Sequence, residues 1–355
     1  MNKELIVVGE MHRDLYYQNE FYNQLVDKVV ERLIQFIRYN PDDLLNRNLL
    51  KKIVSSGVSE TPKKISGTAY IKRGGNGNNS SEYLANLGIP VMFISVVGKR
   101  SQWMINELNK KKINTRFIYK IDEITPISTI ITSQFTTKIH IANNLKKKMN
   151  FDKVDLDLSP LGLSNVLFIT PLADKYKFVV KEANNHELII AANVEYQKIK
   201  QKSQLQNILD EKIDLIFINL GDARLILGEN MELEGVDNFF KNYARIRIYT
   251  NGKEGSHIYT DKADPIYIPS KKIEVIDRTG AGDCFAAGFL AKVYSYIETK
   301  EKLLSLYTEE NSKEFRNILE KCGTFGTYTA MFKISHEGEL LKSELEQFIS
   351  RFEKK

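Results

Sequence analysis

The chain contains the stretch Asp277-Arg278-Thr279-Gly280-Ala281-Gly282-Asp283, which is followed at once by an apolar run over residues 284–291. Glycine and alanine leave the backbone N–H groups of such a turn unobstructed. The helix predicted after the turn directs its positive N-terminal end toward any bound anion. Asp283, at the start of that helix, is placed to accept a proton. The alternative is a capped helix start with no chemical role, because aspartate is a frequent cap and glycine a frequent turn residue.

Length and composition exclude several classes of protein. The chain has 355 residues, 42% of them hydrophobic, which is enough for a large α/β domain with a full core. The net charge of +6 is too small and too dispersed to indicate nucleic-acid binding. No stretch approaches the roughly 18 apolar residues of a membrane span, and the two cysteines provide neither a disulfide framework nor a CxxC metal signature. We therefore expect a soluble, cytoplasmic protein without nucleic-acid or membrane partners.

Short apolar runs alternate with helical periods along most of the chain. This alternation predicts βαβ units and a mostly parallel sheet that is covered by helices on both faces. The predicted strands are residues 5–8, 91–97, 128–132, 166–170, 188–191, 215–219, 247–250 and 273–276. Apolar residues spaced three and four apart over residues 340–352 predict a final amphipathic helix. The fold class is therefore α/β.

Residues 21–54 interrupt this alternation. They predict two amphipathic helices separated at Asn40-Pro41, where proline should end the first helix and begin the second. A short strand is predicted over residues 67–72. We interpret residues 15–73 as a lid or helical insertion over the main sheet, with ordinary surface helices of no chemical role as the alternative.

A second glycine-rich turn, Gly74-Gly75-Asn76-Gly77-Asn78-Asn79, also joins a predicted strand to a predicted helix. Its glycines allow the backbone to approach a ligand closely, and the Asn79 amide both donates and accepts hydrogen bonds, which suits sugar hydroxyls. The turn matches neither the P-loop pattern GxxxxGK[ST] nor the dinucleotide fingerprint GxGxxG. A flexible turn without a ligand is the alternative interpretation.

The two turns, in this order and far apart in the chain, resemble the signature regions of the ribokinase-like (PfkB) family of small-molecule kinases. Gly74, Gly75 and Asn79 match the family's GGxxxN motif. Residues 277–283 are similar to its DTTGAGD motif, with Arg278 in place of a threonine. The resemblance covers most of the chain. It implies a single ribokinase-like kinase domain over residues 1–355, with a three-layer α/β/α fold and a small lid region that carries the helical insertion.

The resemblance also implies roles for further residues. Asp14, after the first strand, matches an aspartate that binds substrate hydroxyls, together with the residues of the GGxxxN motif. Asn219-Leu220-Gly221-Asp222 resembles the family's NxxE motif, and Asp222 replaces its usual glutamate. Asn219 and Asp222 are therefore expected to hold magnesium through water, because Mg²⁺ usually retains several waters and few protein ligands. The other residues expected near the nucleotide are Thr250, Gly252, Arg278, Gly323 and Gly326.

The activity implied is transfer of the γ-phosphoryl group of ATP to a hydroxyl of a small sugar or nucleoside, with Mg²⁺ as cofactor. Asp283 would act as the base, and the turn Gly280-Ala281-Gly282 as the anion hole. Two alternatives stay open. Arg13 and Arg73 could bind a phosphate already present on the acceptor, which would make the protein a sugar-phosphate kinase. The altered NxxE motif would also suit a catalytically silent, ligand-binding paralogue. The oligomeric state is open, with a homodimer as one expectation.

Overall fold

The computed structural model describes residues 3–18, 21–39, 47–60, 67–132, 138–141, 148–210, 212–336 and 338–353. The strands are β1 Leu5–Gly9, β2 His12–Gln18, β3 Thr68–Gly74, β4 Val91–Lys99, β5 Ile118–Ile124, β6 Ile127–Thr132, β7 Lys138–Ile141, β8 Val166–Thr170, β9 Ile189–Val194, β10 Ile213–Asn219, β11 Ala244–Thr250, β12 Ser256–Thr260 and β13 Ile266–Ile268. The helices are α1 Phe21–Tyr39, α2 Arg47–Ser59, α3 Asn76–Asn86, α4 Gln102–Lys110, α5 Lys177–Asn185, α6 Lys202–Ile208, α7 Leu220–Leu227, α8 Leu233–Phe240, α9 Ala281–Tyr296, α10 Lys300–Leu306, α11 Ser312–Ser335 and α12 Lys342–Glu353.

The chain divides into two compact units, each with its own sheet. The larger unit consists of Met1–Met11, Gly75–Ile124 and Lys148–Lys355. The smaller unit consists of His12–Gly74 and Thr125–Lys147. The insertion predicted over residues 15–73 therefore falls within the smaller unit, which also takes in the segment around β6 and β7.

The larger unit is built on a nine-stranded sheet in the order β13-β12-β11-β10-β9-β8-β1-β4-β5. Neighbouring strands are parallel except at β11-β12 and β12-β13, which are antiparallel. Parallel strands require crossover connections, and the helices supply them. The predicted mostly parallel sheet is confirmed. The carboxyl ends of its parallel strands lie along one edge, where open α/β sheets bind their ligands.

Two apolar cores lie on opposite faces of this sheet. In β1, Leu5 and Val7 belong to the first core, whereas Ile6 and Val8 belong to the second. Helices α3, α4, α9, α10, α11 and α12 contribute to the first core, and α5, α6, α7 and α8 to the second. Because both faces are covered, β1 is buried at every position and its sequence is continuously apolar. The three-layer α/β/α arrangement is confirmed.

The smaller unit contains a four-stranded sheet in the order β3-β2-β6-β7 and the helices α1 and α2. The two helices approach closely at Gly57, where a Cβ atom would lie 2.9 Å from the Cα atom of Val29. The prediction of two helices in this region is confirmed. The break predicted at Asn40-Pro41 lies outside the described residues.

Residues 273–276 were predicted to form a strand, and this prediction is wrong. The backbone N–H groups of Ile276 and Asp277 instead donate to the carbonyl oxygen of Ile334 at the end of α11, at 2.7 and 3.2 Å. The sheet ends at β13, and the side chains of Val275 and Ile276 are exposed. An apolar, β-branched run forms a strand only where a sheet edge is available to pair with it.

None of the helices in the described part of the chain has the length and apolar composition needed to cross a bilayer.

Phe289 of α9 offers a test of how far the core depends on packing between this helix and the sheet. Its side chain is fully buried, and its ring packs edge-on against Phe217 of β10 with centroids 5.3 Å apart. We expect Phe289→Ala to lower the free energy of unfolding by about 3–5 kcal/mol in chemical denaturation, because it removes these contacts and leaves a cavity. Phe178→Ala, at a side chain that is 42% exposed, is the control and should cost about 1 kcal/mol or less. Equal losses in the two variants would contradict this account.

Candidate active site

The glycine-rich turn before α9 is held by Asp277 and bends at Gly280. One carboxylate oxygen of Asp277 accepts hydrogen bonds from the backbone N–H and the hydroxyl of Thr279, at 2.9 and 2.8 Å. Gly280 adopts the left-handed conformation, with φ 74° and ψ 9°, which glycine reaches without steric cost. These hydrogen bonds and the backbone angles of Gly280 therefore define the conformation of the turn that leads into α9.

The first turn of α9 presents backbone N–H groups that have no intrahelical partner. Helix geometry leaves such groups at Gly282 and Asp283. The N–H of Ala281 instead donates to the carbonyl oxygen of Arg278 at 3.3 Å, and this hydrogen bond stabilises the turn. Gly282 is exposed, and a Cβ atom there would meet no heavy atom within 4 Å. Within the described part of the chain, the N–H groups of Gly282 and Asp283 thus have no backbone partner, and the Arg278 side chain is exposed.

Helix α3 begins directly against the end of β1. A Cβ atom on Gly9 would lie 2.7 Å from the Cα atom of Gly77 and 2.1 Å from the carbonyl oxygen of Thr170, so no larger residue fits at this position. The backbone N–H of Asn78 donates to the carbonyl oxygen of Glu10 at 3.2 Å. This close approach sets the first turn of α3 over the carboxyl ends of β1 and β8.

The first turn of α3 holds the carboxylate of Asp283. The side-chain amide of Asn79 donates to Asp283 Oδ2 at 3.1 Å, and that of Asn76 donates to Asp283 Oδ1 at 3.1 Å. Asp283 is 6% exposed. The structure therefore brings the predicted residues Asn79 and Asp283 together. It adds Asn76, which the sequence analysis did not select because the GGxxxN pattern leaves that position unspecified.

A second carboxylate, Glu195, lies next to this group. It follows β9 directly, and its Oε1 accepts a hydrogen bond from the same Asn76 amide. Burial, followed by the negative charge of Glu195, raises the pKa of Asp283 to about 8, against the lowering effect of the Asn79 and Asn76 hydrogen bonds. Burial also raises the pKa of Glu195 to about 7; the charges of Glu10 and Asp222 act in the same direction. The two carboxyl groups therefore hold protons at pH values where exposed carboxyl groups are ionised.

Sequence reasoning missed Glu195, although a signal was present. A polar residue directly after a buried parallel strand lies at the sheet edge where ligands bind. The same signal applies to Glu10 after β1. Glu10 forms ion pairs with Lys198 and with Lys175, the latter at 3.4 Å. The edge of the sheet thus carries both carboxylates and ammonium groups.

Asn219 connects the ends of β10 and β11. Its Oδ1 caps α7 by accepting the N–H of Gly221 at 2.9 Å, and its Nδ2 donates to the carbonyl oxygen of Thr250 at 3.2 Å. Gly252 follows Thr250 by two residues, is exposed and has φ 53°. The structure therefore places these three predicted nucleotide residues, Asn219, Thr250 and Gly252, at adjacent strand ends.

Asp222 lies in the first turn of α7, where its Oδ2 accepts the backbone N–H of Tyr196 at 3.1 Å. The described residues contain no group of three or more histidine, cysteine, aspartate or glutamate side chains that could hold a metal ion. Binding of Mg²⁺ through water by Asp222 and Asn219 stays a prediction.

The two glycines predicted near the nucleotide on α11 pack against the protein itself. A Cβ atom on Gly323 would lie 2.6 Å from Cδ1 of Ile258 in β12. One on Gly326 would lie 2.9 Å from the carbonyl oxygen of Phe285 in α9. Close packing of α11 on β12 and α9 accounts for both residues, and their contact with a nucleotide stays a prediction.

Asp14 and Gly74 lie together in the smaller unit. A Cβ atom on Gly74 would lie 2.1 Å from Asp14 Oδ2, so glycine leaves room for that carboxylate. Nε2 of His12 lies 3.1 Å from Asp14 Oδ1. Gly75 begins the second segment of the larger unit and has φ 100°, a conformation that favours glycine. The two halves of the Gly74-Gly75 pair therefore belong to different units.

Arg13 is buried within the smaller unit. Its guanidinium donates to the carbonyl oxygen of Thr125, and successive residues of a strand point to opposite faces, so Arg13 and Asp14 lie on opposite faces of β2. Arg73 pairs with Arg13 in the register of β2 and β3. This placement does not support binding of a substrate phosphate by Arg13 beside Asp14.

The fold places the chain in a class of proteins with a ribokinase-like α/β fold. A model of the pfkB family of carbohydrate kinases matches residues 53–344. The chain belongs to this family. It is similar to 5-dehydro-2-deoxygluconokinase 1 of Bacillus cereus, with 22% identity over 291 residues that cover 76% of this chain and 87% of that protein. It is also similar to a nucleoside kinase of Methanocaldococcus jannaschii, with 26% identity over 273 residues, or 75% of this chain and 80% of that protein.

The fold is likewise that of solved ribokinase structures. The structure of Arabidopsis thaliana ribokinase in complex with ribose and ATP superposes with a TM-score of 0.66 and covers 98% of this chain and 99% of its own. The two sequences are 17% identical, so this likeness establishes the fold alone.

The raised pKa of Asp283 predicts how stability depends on pH. A carboxyl group whose pKa is higher in the folded state binds its proton more tightly there, so its contribution is largest at low pH and is lost as pH rises through the folded value of about 8. We expect the free energy of unfolding of the wild type to fall relative to Asp283→Asn between about pH 5 and about pH 9, by up to about 1.4 kcal/mol per pH unit.

Urea denaturation across this pH range measures the difference. Asp210→Asn is the control, because Asp210 forms a surface ion pair with Lys177 and its loss should leave the pH dependence unchanged. The same pH dependence in the wild type and in Asp283→Asn would show that Asp283 does not hold a proton in the folded protein.

Proposed function

We propose that this member of the pfkB family transfers the γ-phosphoryl group of ATP to a hydroxyl of a small sugar or nucleoside, with Asp283 as the base. One observation carries the proposal. The Asp283 carboxylate is buried, is held on each oxygen by an asparagine amide, and lies in the first turn of a helix whose N-terminal N–H groups border open space. A proton acceptor and a phosphoryl-binding site thus occur in a single turn of chain.

Asp283 suits the role of base because of its environment. A hydroxyl is a weak nucleophile until its proton is removed, and a carboxylate with a pKa near 8 is a stronger base than an exposed one. Asn76 and Asn79 each use one lone pair on a different oxygen. A carboxylate offers about four such sites, so about two remain, one on each oxygen, and one of them can accept the proton of the acceptor hydroxyl.

The first turn of α9 would stabilise the transferred group. Phosphoryl transfer develops charge on the equatorial oxygens, and fixed N–H dipoles counter that charge without reorganisation. The N–H groups of Gly282 and Asp283, with the positive end of α9, fit this role. The N–H of Ala281 would join them only if it left the carbonyl oxygen of Arg278.

Asn219 and Asp222 would hold Mg²⁺ through water, and the bound ion would neutralise charge on the nucleotide phosphates. Support comes from the hydrogen bond of Asn219 to Thr250 at the carboxyl ends of adjacent parallel strands, and from Asp222 in the first turn of the helix that follows β10. ATP as the donor is supported by family membership and by the nucleotide in the Arabidopsis ribokinase structure. Contacts of Arg278, Gly323 and Gly326 with the nucleotide are part of this proposal.

Asn79 and Gly75 of the larger unit would bind the acceptor, and the role of Asp14 and Gly74 in substrate binding stays a prediction. The relatives include a kinase named for a deoxygluconate and one named for nucleosides. Both classes therefore belong in a screen of acceptors, together with sugar phosphates. A ligand at about 100 times its dissociation constant stabilises the folded state by about 2.7 kcal/mol, which a thermal-shift assay detects.

Asp283→Asn tests the base directly. The amide is nearly isosteric but does not accept a proton, so kcat should fall by about 10²–10⁴-fold while the KM for ATP changes little. ADP formation with the acceptors found by thermal shift is the readout, and Asp210→Asn is the control with wild-type kcat. Equal and negligible activity in the wild type and the variant over the whole panel would favour a catalytically silent binding protein.

Gly282→Ala tests the role of the anion site in catalysis without a change in the stability of the fold. A methyl group at this position meets no heavy atom within 4 Å, so the melting temperature should stay close to the wild-type value. The methyl group would enter the space in front of the N–H groups and displace the phosphoryl group, and we expect kcat to fall on the order of 10²-fold. Gly235→Ala, in α8, is the control, because a methyl group there would meet only the flexible side chain of Met231, and it should retain activity. Wild-type kcat in Gly282→Ala would count against a phosphoryl group at this turn.

A further inference from the structure

The amide of Asn76 lies between two carboxylates. Its Nδ2 donates to Oε1 of Glu195 and, at 3.1 Å, to Oδ1 of Asp283. An amide nitrogen carries two hydrogens, so it can serve both acceptors at once. In the opposite orientation the amide oxygen would face both carboxylates, which is repulsive. Glu195 therefore selects the orientation in which Asn76 donates to Asp283.

The other oxygen of Asp283 is held in a corresponding way. Asn79 donates to Asp283 Oδ2, and the Oδ1 of Asn79 accepts a hydrogen bond from Nδ2 of Asn78 at 3.2 Å. Each amide that contacts Asp283 thus has a second partner that fixes its orientation: Asn78 for Asn79, and Glu195 for Asn76. Because both oxygens are fixed, the direction of the remaining lone pairs of Asp283 is fixed as well.

Glu195 differs from Asn78 in carrying charge. The charged groups that act on it are Asp283, Glu10, Asp222 and Lys198, and Lys175 pairs with Glu10. Like charges disfavour ionisation, and the nearby lysine opposes this effect only in part. The charge of Glu195 consequently raises the pKa of Asp283 in addition to the effect of burial.

We propose that Glu195 is a positioning residue for Asp283: it orients the Asn76 amide, which in turn fixes the carboxylate that faces the acceptor hydroxyl. The proposal rests on the proposed role of Asp283 as base. It assigns a function to a residue that touches neither the acceptor nor the nucleotide in this scheme. Loss of the oxygen acceptor of Glu195 should therefore affect turnover, whereas loss of its charge alone should affect the pH at which turnover occurs.

Two substitutions separate these effects. Glu195→Ala removes the acceptor, and we expect kcat to fall at least about 10-fold at every pH, since misplacement of a catalytic group by about 1 Å can cost 10²-fold. Glu195→Gln keeps an oxygen for Asn76 and removes the charge. It should retain most of the wild-type kcat, while the acidic limb of the kcat/KM profile moves by about one unit to lower pH. Glu123→Gln, which removes a carboxylate paired with surface lysines, is the control and should match the wild type.

A readout independent of activity follows the Asp283 carboxyl group itself. In protein labelled with ¹³C at the aspartate carboxyl groups, the resonance lost in Asp283→Asn belongs to Asp283. Its midpoint should move to lower pH in Glu195→Gln and stay unchanged in Glu123→Gln. An unchanged midpoint in Glu195→Gln, or wild-type kcat and pH profile in Glu195→Ala, would overturn the proposal. If no acceptor is phosphorylated by the wild type, the proposed function fails, and the resonance still decides whether Glu195 acts on Asp283.

Discussion

The two hydrogen bonds that Asp283 accepts from Asn76 and Asn79 join the first turns of α3 and α9, which are remote in sequence. They form only because each helix is placed closely against the sheet or its neighbour. For α3, the approach of Gly77 to Gly9 sets that position. For α9, a Cβ atom on Gly288 would lie 2.5 Å from Oγ1 of Thr329 in α11, so glycine allows the two helices to pack closely. A larger residue at Gly77 would push the start of α3 away from the backbone of Gly9.

The edge of the sheet concentrates charge that the fold must accommodate. Carboxylates follow β1 and β9 at Glu10 and Glu195, and Asp222 lies in the first turn after β10. Lysines and the positive N-terminal ends of the helices offset part of this charge. The remainder appears as raised pKa values at Glu195 and Asp283. Such a cluster lowers stability at high pH, a cost that is common where a protein keeps a reactive group buried.

Sequence reasoning succeeded for the fold where the local pattern is strong. The runs in β1 and β8 are buried at every position and apolar except at Thr170, because both faces of the sheet are covered, and this pattern alone predicts a parallel sheet. The prediction failed at the antiparallel edge of the sheet, which is formed by β12 and β13. β12 and β13 were not predicted. Residues 273–276 were predicted as a strand, but they form none, and the N–H of Ile276 donates to the end of α11 instead. Whether a short apolar run becomes a strand depends on a neighbour that the run itself does not specify.

The same distinction holds at the site. The sequence by itself determined the turns around Gly75 and Gly280, and the presence of Asn79 and Asp283 within them, because positive φ angles and helix starts depend on residues a few positions apart. Only the tertiary structure decided that Asn76 connects Asp283 to Glu195, since this requires the order of β9, β8 and β1 in the sheet and the approach of α3 to α9. Strand order and helix packing arise from contacts between distant parts of the chain. For that reason, no local pattern could show that these two carboxylates meet.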